Sequence, residues 1–275
     1  MFGRRSSSGR GFGRKGGLIV ALVVAAIALF RYYSSSDFNE YTGETQYVNI
    51  TEQQEIALGL QSAPQMMQQH GGLHPNREAQ AFVDQVGQRL VEGSFGPSHP
   101  YPYEFHLLAD EQTINAFALP GGQVFITAAL FDQLETEDQL AGVFGHEIAH
   151  VVARHGAERI AQMELQQGLT GAAVMATYDP DNPASAGSAG VAAVIGNLLT
   201  MRHGRDQELE SDRLGVRIMM AADYDPHALK DVMRILAQAG GSSRRPEFFS
   251  THPNPDNRIQ QIEEAIEYYE ANGVD

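Results

Sequence analysis

The chain has 275 residues, enough for one sizeable globular domain with a tether and short for two full domains. It contains no cysteine, which excludes disulfides, thiolate nucleophiles and cysteine metal knuckles and leaves His, Asp and Glu as metal-ligating side chains. Six of the 19 basic residues (Arg4, Arg5, Arg10, Arg14, Lys15, Arg31) precede Tyr32, which leaves 13 against all 34 acidic residues in the remainder and argues against nucleic acid as a partner.

Residues 1–15 form a basic, Gly- and Ser-rich tail, and residues 16–33 read as a transmembrane signal-anchor. Leu18 to Phe30 is uninterrupted apolar sequence, closed by Arg31, Tyr32 and Tyr33. With Gly16, Gly17 and a snorkelling Arg31 it approaches the roughly 17–25 residues a spanning helix needs. No A-x-A site follows Phe30, which favours an uncleaved anchor over a secretory signal. The positive-inside rule then keeps the tail in the cytoplasm and exports everything after Arg31. The alternatives are a cleaved signal that releases a soluble exported protein, and an organellar transit peptide.

Residues 34–50 are polar and aperiodic and read as a linker, so the folded domain is expected over residues 51–275. Thr51 with Gln54 three positions on predicts a capped helix through about Gln69, followed by a second from about Asn76 to Val91. The stretch from Tyr103 to Asp110 predicts a strand, and that from Ile114 to Leu130 a hairpin turned by Pro120, Gly121 and Gly122. Helices are then expected over about 137–167, 206–222, 226–238 and 257–270. Between Gly168 and Thr200 lie two small-residue apolar runs, each too short to span a bilayer, which read equally as a packed helical hairpin or as a surface that dips into lipid or guards a cleft. The fold class this implies is α+β and mostly helical.

The chemistry concentrates in the stretch from Gly142 to Gly156, where HExxH occupies residues 146–150. At 100° per residue from Leu140, Val143, Phe144, Ile148, Val151 and Val152 lie within about 60–120° of the zero direction, with His146 and His150 side by side on the flank of that stripe at about 240–280° and Glu147 on its edge at about 340°. Two imidazoles and a carboxylate at a buried margin are expensive to desolvate without a common partner. A metal supplies one: both imidazoles reach a single zinc ion, and the glutamate between them takes a proton from a water the metal activates.

The pentapeptide needs a third ligand. A metzincin would place a histidine at position 156, which is Gly156, and His155 projects about 180° from His146 as a solvent-facing or capping residue. On the helix after Arg205, Glu210, Arg213 and Arg217 form a solvated face, whereas Glu208 and Asp212 turn inward together with Gly215, Val216 and Met219.

Taken together, "HEIAH", the later "ELESD", the preceding "INAFALPGGQVFIT" and the final "STHPNPDNRI" resemble the CAAX-prenyl-protease-like (HtpX-like) zinc metallopeptidases, in particular the branch with a single anchor and an exported catalytic domain. The resemblance covers about Thr51 to about Glu270. It implies a zincin-type gluzincin domain with a small sheet beside the HExxH helix and one zinc ion per chain. His146, His150 and Glu208 would be the ligands, Glu147 the catalytic base and Asp212 the orienter of a ligand imidazole.

The implied activity is endopeptidase action on unfolded or misassembled envelope proteins. Asn115, Ala116 and Phe117 are candidates for an edge strand that pairs an extended substrate. His203, Arg205 and His252 are candidate oxyanion donors, with Arg205 facing inward by phase at about 60°. His252, on a segment stiffened by Pro253 and Pro255, is also a candidate latch on the metal's open position. A chaperone-like zinc module that binds without cutting shares these residues. A purely structural site would instead need four closed protein ligands and no glutamate between the histidines.

Overall fold

A computed structural model describes residues 14–95, 101–177, 204–239, 246–252 and 257–274. Among these the chain is mostly helical with two small sheets, the α+β class expected. It divides into two compact units: Met1–Asp37 with Tyr47–Asn49 and Arg159–Thr200, and Phe38–Gln46 with Ile50–Glu158 and Met201–Asp275.

The first unit contains α1 (Arg14–Ser34), of which Gly16–Ser34 is long and apolar enough to cross a membrane by length and composition. Leu18, Ile19, Leu22 and Phe30 are exposed along it. Arg31 at its end lies 3.5 Å from Glu164, and the Tyr32 ring stacks on Tyr47 at 4.8 Å.

In the second unit, α2 (Glu52–Gln69) starts at the predicted cap, where the Thr51 hydroxyl accepts from Gln54 N and the Gln54 side chain accepts from Thr51 N. It is followed by α3 (Arg77–Phe95). Strands β3 (Glu104–Leu108), β4 (Ala116–Leu119) and β5 (Gln123–Thr127) form a sheet of order β3-β5-β4, parallel between β3 and β5 and antiparallel across the hairpin. Gly121, at φ 85°, makes the turn left-handed, a conformation that costs a side-chain-bearing residue.

The turn is pressed against α2. A Cβ on Gly59 would stand 2.1 Å from the Pro120 carbonyl oxygen. Gly59→Ala is therefore expected to cost about 1–3 kcal/mol, read as a lowered unfolding midpoint, because backbone rather than a flexible side chain must move.

After the short α4 (Ala128–Phe131), α5 (Glu137–Val152) runs through the centre of the unit, with every residue from Gln139 to Val152 buried. It packs on α3, α7 (Arg205–Ala221), α8 (Ala228–Ala239) and β4. Phe144, Ile148, Leu140, Leu214, Val216 and Met219 share its core, each worth roughly 1.5–3 kcal/mol when fully buried. Helices α5 and α7 cross at glycines: a Cβ on Gly145 would meet Gly215 O at 3.2 Å, and one on Gly215 would meet Gly145 C at 3.2 Å. This close crossing brings the inner face of α7 to the histidines of α5. The short α9 (Phe248–Thr251) and α10 (Arg258–Asn272) complete the unit.

Three expectations change. The single helix predicted over about 137–167 is two, α5 and α6 (His155–Thr177), broken at Arg154, which has φ 54°. The Arg154 guanidinium donates to buried Glu55 (2.9 Å) and to Ile50 O (2.8 Å), contacts that hold the break and that spacing along one helix cannot reveal. The expected linker over 34–50 contains strands β1 (Ser36–Asn39) and β2 (Glu44–Tyr47). Its buried Asn39 and Gln46 amides donate to Val152 O (2.8 Å) and Ala153 O (2.5 Å), satisfying carbonyls that the end of α5 leaves open. Finally, the apolar run after Gly168 continues α6 to Thr177, and residues 178–203, which hold the second run, lie outside the described residues.

Candidate metal centre

Three separate parts of the second unit converge here. One turn of α5 sets His146 above His150 with Glu147 between them, the inner face of α7 supplies Glu208 and Asp212, and the end of α9 supplies His252. All six are 0–5% exposed.

His146 Nε2 lies 3.1 Å from His150 Nε2, 3.4 Å from His252 Nδ1 and 3.5 Å from Glu208 Oε2. Glu208 Oε1 lies 3.1 Å from His252 Nδ1 and 3.5 Å from His150 Nε2. Bonds of about 2.0–2.1 Å to a tetrahedral ion place neighbouring donors about 3.3 Å apart. The ligating atoms of His146, His150, Glu208 and His252, all within 4.8 Å of one another, have the spacing to hold one small metal ion.

Charge points the same way. Among the described residues, Glu147, Glu208 and Asp212 face one buried arginine, Arg258, which is 1% exposed. With neutral imidazoles the cluster is short of two positive charges. Burial and Arg258 push the His146 pKa down, but hydrogen bonds to Asp212 and Glu208 raise it to about 9, so a proton makes up part of the deficit without a cation. Burial pushes Glu208 up, and the His252, His146 and His150 imidazoles hold it well below the usual carboxylate range. Glu147 is raised by burial, against the pull of His252 and His146, and among the described residues its Oε1 has no hydrogen-bond partner. An orphaned buried carboxylate oxygen beside convergent donors fits a site built around a cation.

Asp212 Oδ1 lies 2.9 Å from His146 Nδ1, the ring nitrogen turned away from the cluster. Arg258 donates to both Asp212 oxygens, from Nε at 2.5 Å and from Nη2 at 2.9 Å, and its Nη1 stands 3.2 Å from Glu208 Oε2. The sequence reading missed Arg258. The signal was there: it stands four residues before Ile262 on the stripe that continues through Ala265, Ile266 and Tyr269, an arginine in register with a buried face.

The remaining candidates fall as follows. Arg205 is exposed, not inward. Phase gives only a direction around the axis, and Arg205 opens α7 far from the Gly215 crossing, where none of the described residues covers it. His155, expected at the surface, is fully buried, because the break at Arg154 resets the helical phase before it. Glu210, expected on a solvated face, bonds to His155 at 2.7 Å. Ala116 and Phe117 lie on β4, the edge of its sheet, and buried Asn115 immediately precedes it. His252 stacks on Phe248 with centroids 4.4 Å apart and places Nε2 3.6 Å from Glu147 Oε1. His203, Pro253 and Pro255 lie outside the described residues.

Relatives carry the same region. The profile of Peptidase family M48 matches residues 77–266. The beta-barrel assembly-enhancing protease of Escherichia coli (strain K12) is 35% identical over 189 residues, 65% of this chain and 37% of its own length. The mitochondrial metalloendopeptidase OMA1 of Schizosaccharomyces pombe is 30% identical over 239 residues, 85% of this chain and 67% of its own. That of Saccharomyces cerevisiae is 26% identical over 260 residues, covering 88% and 72%. The chain thus spans little more than a third of the bacterial relative and about two thirds of the S. pombe one. The matched region takes in α5, α7 and Arg258, the parts that build the cluster, and over that length the chain belongs to Peptidase family M48.

Proposed function

We propose that this chain is a zinc-dependent endopeptidase, tethered by α1, that hydrolyses unfolded or misassembled polypeptides on the extracytoplasmic side of a membrane. The observation that carries the reading is the buried Glu147 carboxylate, with one oxygen that accepts no hydrogen bond among the described residues, beside donors spaced for one small ion. Imidazoles and a carboxylate without thiolates suit zinc, and the protease names of the relatives support a polypeptide substrate. In this reading residues 1–15 are a cytoplasmic tail, 16–33 the anchor and 51–275 the peptidase domain, to which the hairpin within 34–50 adds.

His146, His150 and Glu208 would hold one zinc ion. When bound, zinc supplies a Lewis acid that polarises the scissile carbonyl and acidifies a neighbouring water. Glu147 takes the proton from that water and passes it to the leaving amine, and its burial moves its basicity toward neutral pH. Asp212 holds His146 by Nδ1. Asn115, Ala116 and Phe117 pair the substrate main chain at the β4 edge, which keeps it extended past Glu147.

The test is digestion of an unfolded model protein by the purified full chain, stopped by a zinc chelator and restored by added zinc. Cleavage that ignores the chelator would overturn the assignment. For topology, protease added outside the cytoplasmic membrane should reach the chain after Arg31. Recovery of a soluble form beginning near Ser34 or Asp37 would replace the anchor with a cleaved signal.

A second reading, a latched protease with little turnover, is favoured by His252, which shares the donor cluster. The variant His252→Ala separates its roles. A severalfold rise in cleavage supports the latch, and a fall of about 10²–10³ with unchanged zinc supports an oxyanion donor. Wild-type turnover, zinc affinity and thermal stability would dismiss both. A chaperone-like module predicts binding without cutting in this variant too.

A further inference from the structure

His150 is the one histidine of HExxH that Asp212 does not hold. Its Nε2 faces the cluster, and its other ring nitrogen, Nδ1, lies 2.8 Å from His155 Nδ1. His155 has no exposed surface, and its Nε2 lies 2.7 Å from Glu210 Oε2, on a carboxylate only a quarter exposed. Ser211 Oγ also stands 3.4 Å from His155 Nδ1, a longer contact than the 2.8 Å of His150 to that nitrogen.

The proton positions along this chain are not free. A ring that offers the Nε2 lone pair to a metal carries its proton on Nδ1. His150 Nδ1–H must then donate to His155 Nδ1, which forces the His155 proton onto Nε2, where it donates to Glu210. For the contacts named, one arrangement of neutral tautomers satisfies all three groups, and it leaves His150 Nε2 unprotonated and aimed at the other donors.

We infer that His155 and Glu210 are a positioning pair that fixes the tautomer and ring plane of His150, as Asp212 does for His146. The inference rests on the metal-site reading above. A histidine that merely fills the core needs one hydrogen bond, whereas His155 is bonded through both nitrogens, on one side to a ligand candidate and on the other to a carboxylate. The device depends on the break at Arg154, which starts α6 at His155 and turns the imidazole back toward α5 and α7. Loss of such an outer partner weakens metal binding by about 10–100-fold.

The experiment measures zinc affinity of the purified full chain by competition with a chromophoric chelator, together with the thermal midpoint of the metal-free protein. Wild type should bind one zinc ion. His155→Ala and Glu210→Gln should each weaken it, by about 100-fold and about tenfold within the range above. His155→Gln, whose amide can accept and donate at once, should recover part of the loss. In the zinc-loaded wild type, nitrogen-15 spectra of labelled histidine should show the His150 proton on Nδ1. Should His155→Ala fail to fold, the partly exposed Glu210→Gln decides alone. Wild-type zinc affinity in Glu210→Gln would overturn the pair, as would a His155→Ala protein with a lowered midpoint and unchanged zinc affinity. A wild-type chain that binds no zinc would overturn the metal reading itself, and this inference with it.

Discussion

Glu147→Gln should keep its zinc and lose peptide cleavage, by about 10²–10⁴-fold for the loss of a positioned proton acceptor. The amide is nearly the size of the carboxylate and fits the same buried space. His146, His150 and Glu208 are untouched, so one equivalent of metal should remain. Glu208→Ala should do the reverse, because it removes the one carboxylate among the four convergent donors and leaves only imidazoles to hold the ion. Metal analysis beside a cleavage assay reads both. Loss of zinc from Glu147→Gln, or its retention at wild-type affinity in Glu208→Ala, would show that the roles have been assigned to the wrong carboxylates.

Arg258→Met should produce the largest loss of stability, about 3–5 kcal/mol, the cost of breaking a buried ion pair from one side. Methionine fills much of the volume but strands Asp212 and Glu208, both fully buried, without their shared cation. The double variant Arg258→Met with Asp212→Asn should regain part of that loss, since one stranded charge is gone. Denaturant unfolding of the metal-free protein measures this. Equal midpoints for Arg258→Met and wild type would mean that the guanidinium contributes nothing net to the fold.

Local signals were read from sequence where the cause was local. Thr51 and Gln54 are three residues apart, and the reciprocal bonds that start α2 need nothing else. Pro120, Gly121 and Gly122 make their turn by backbone preference. The inward pointing of Glu208 and Asp212 follows from helix phase once α7 is straight. Phase failed at both ends of its validity. Carried through Arg154 as though α5 and α6 were one helix, it sends His155 to the surface, and along α7 it sends Glu210 there although His155 stands beside it. It was applied to Arg205, which lies at a helix tip where direction without a neighbour buries nothing.

Arg258 is a charged residue on an apolar stripe, and the stripe says that it is buried but not which anions it meets. The hairpin within 34–50 has no periodicity to read, since its buried groups, Asn39 and Gln46, are fastened by the carbonyls of Val152 and Ala153 from more than a hundred positions away. Sequence alone determined the presence of HExxH and its glutamate, the apolar segment near the N-terminus, the capped start of α2 and the pair of acids on α7, because each depends on neighbours within one or two turns. Only the tertiary structure decided which cation Asp212 meets, how near Glu208 comes to His146, and that His155 stands behind His150. Those depend on the glycine crossing of Gly145 and Gly215 and on the reversal at Arg154, where separate segments are brought within hydrogen-bond range by packing that no local pattern encodes.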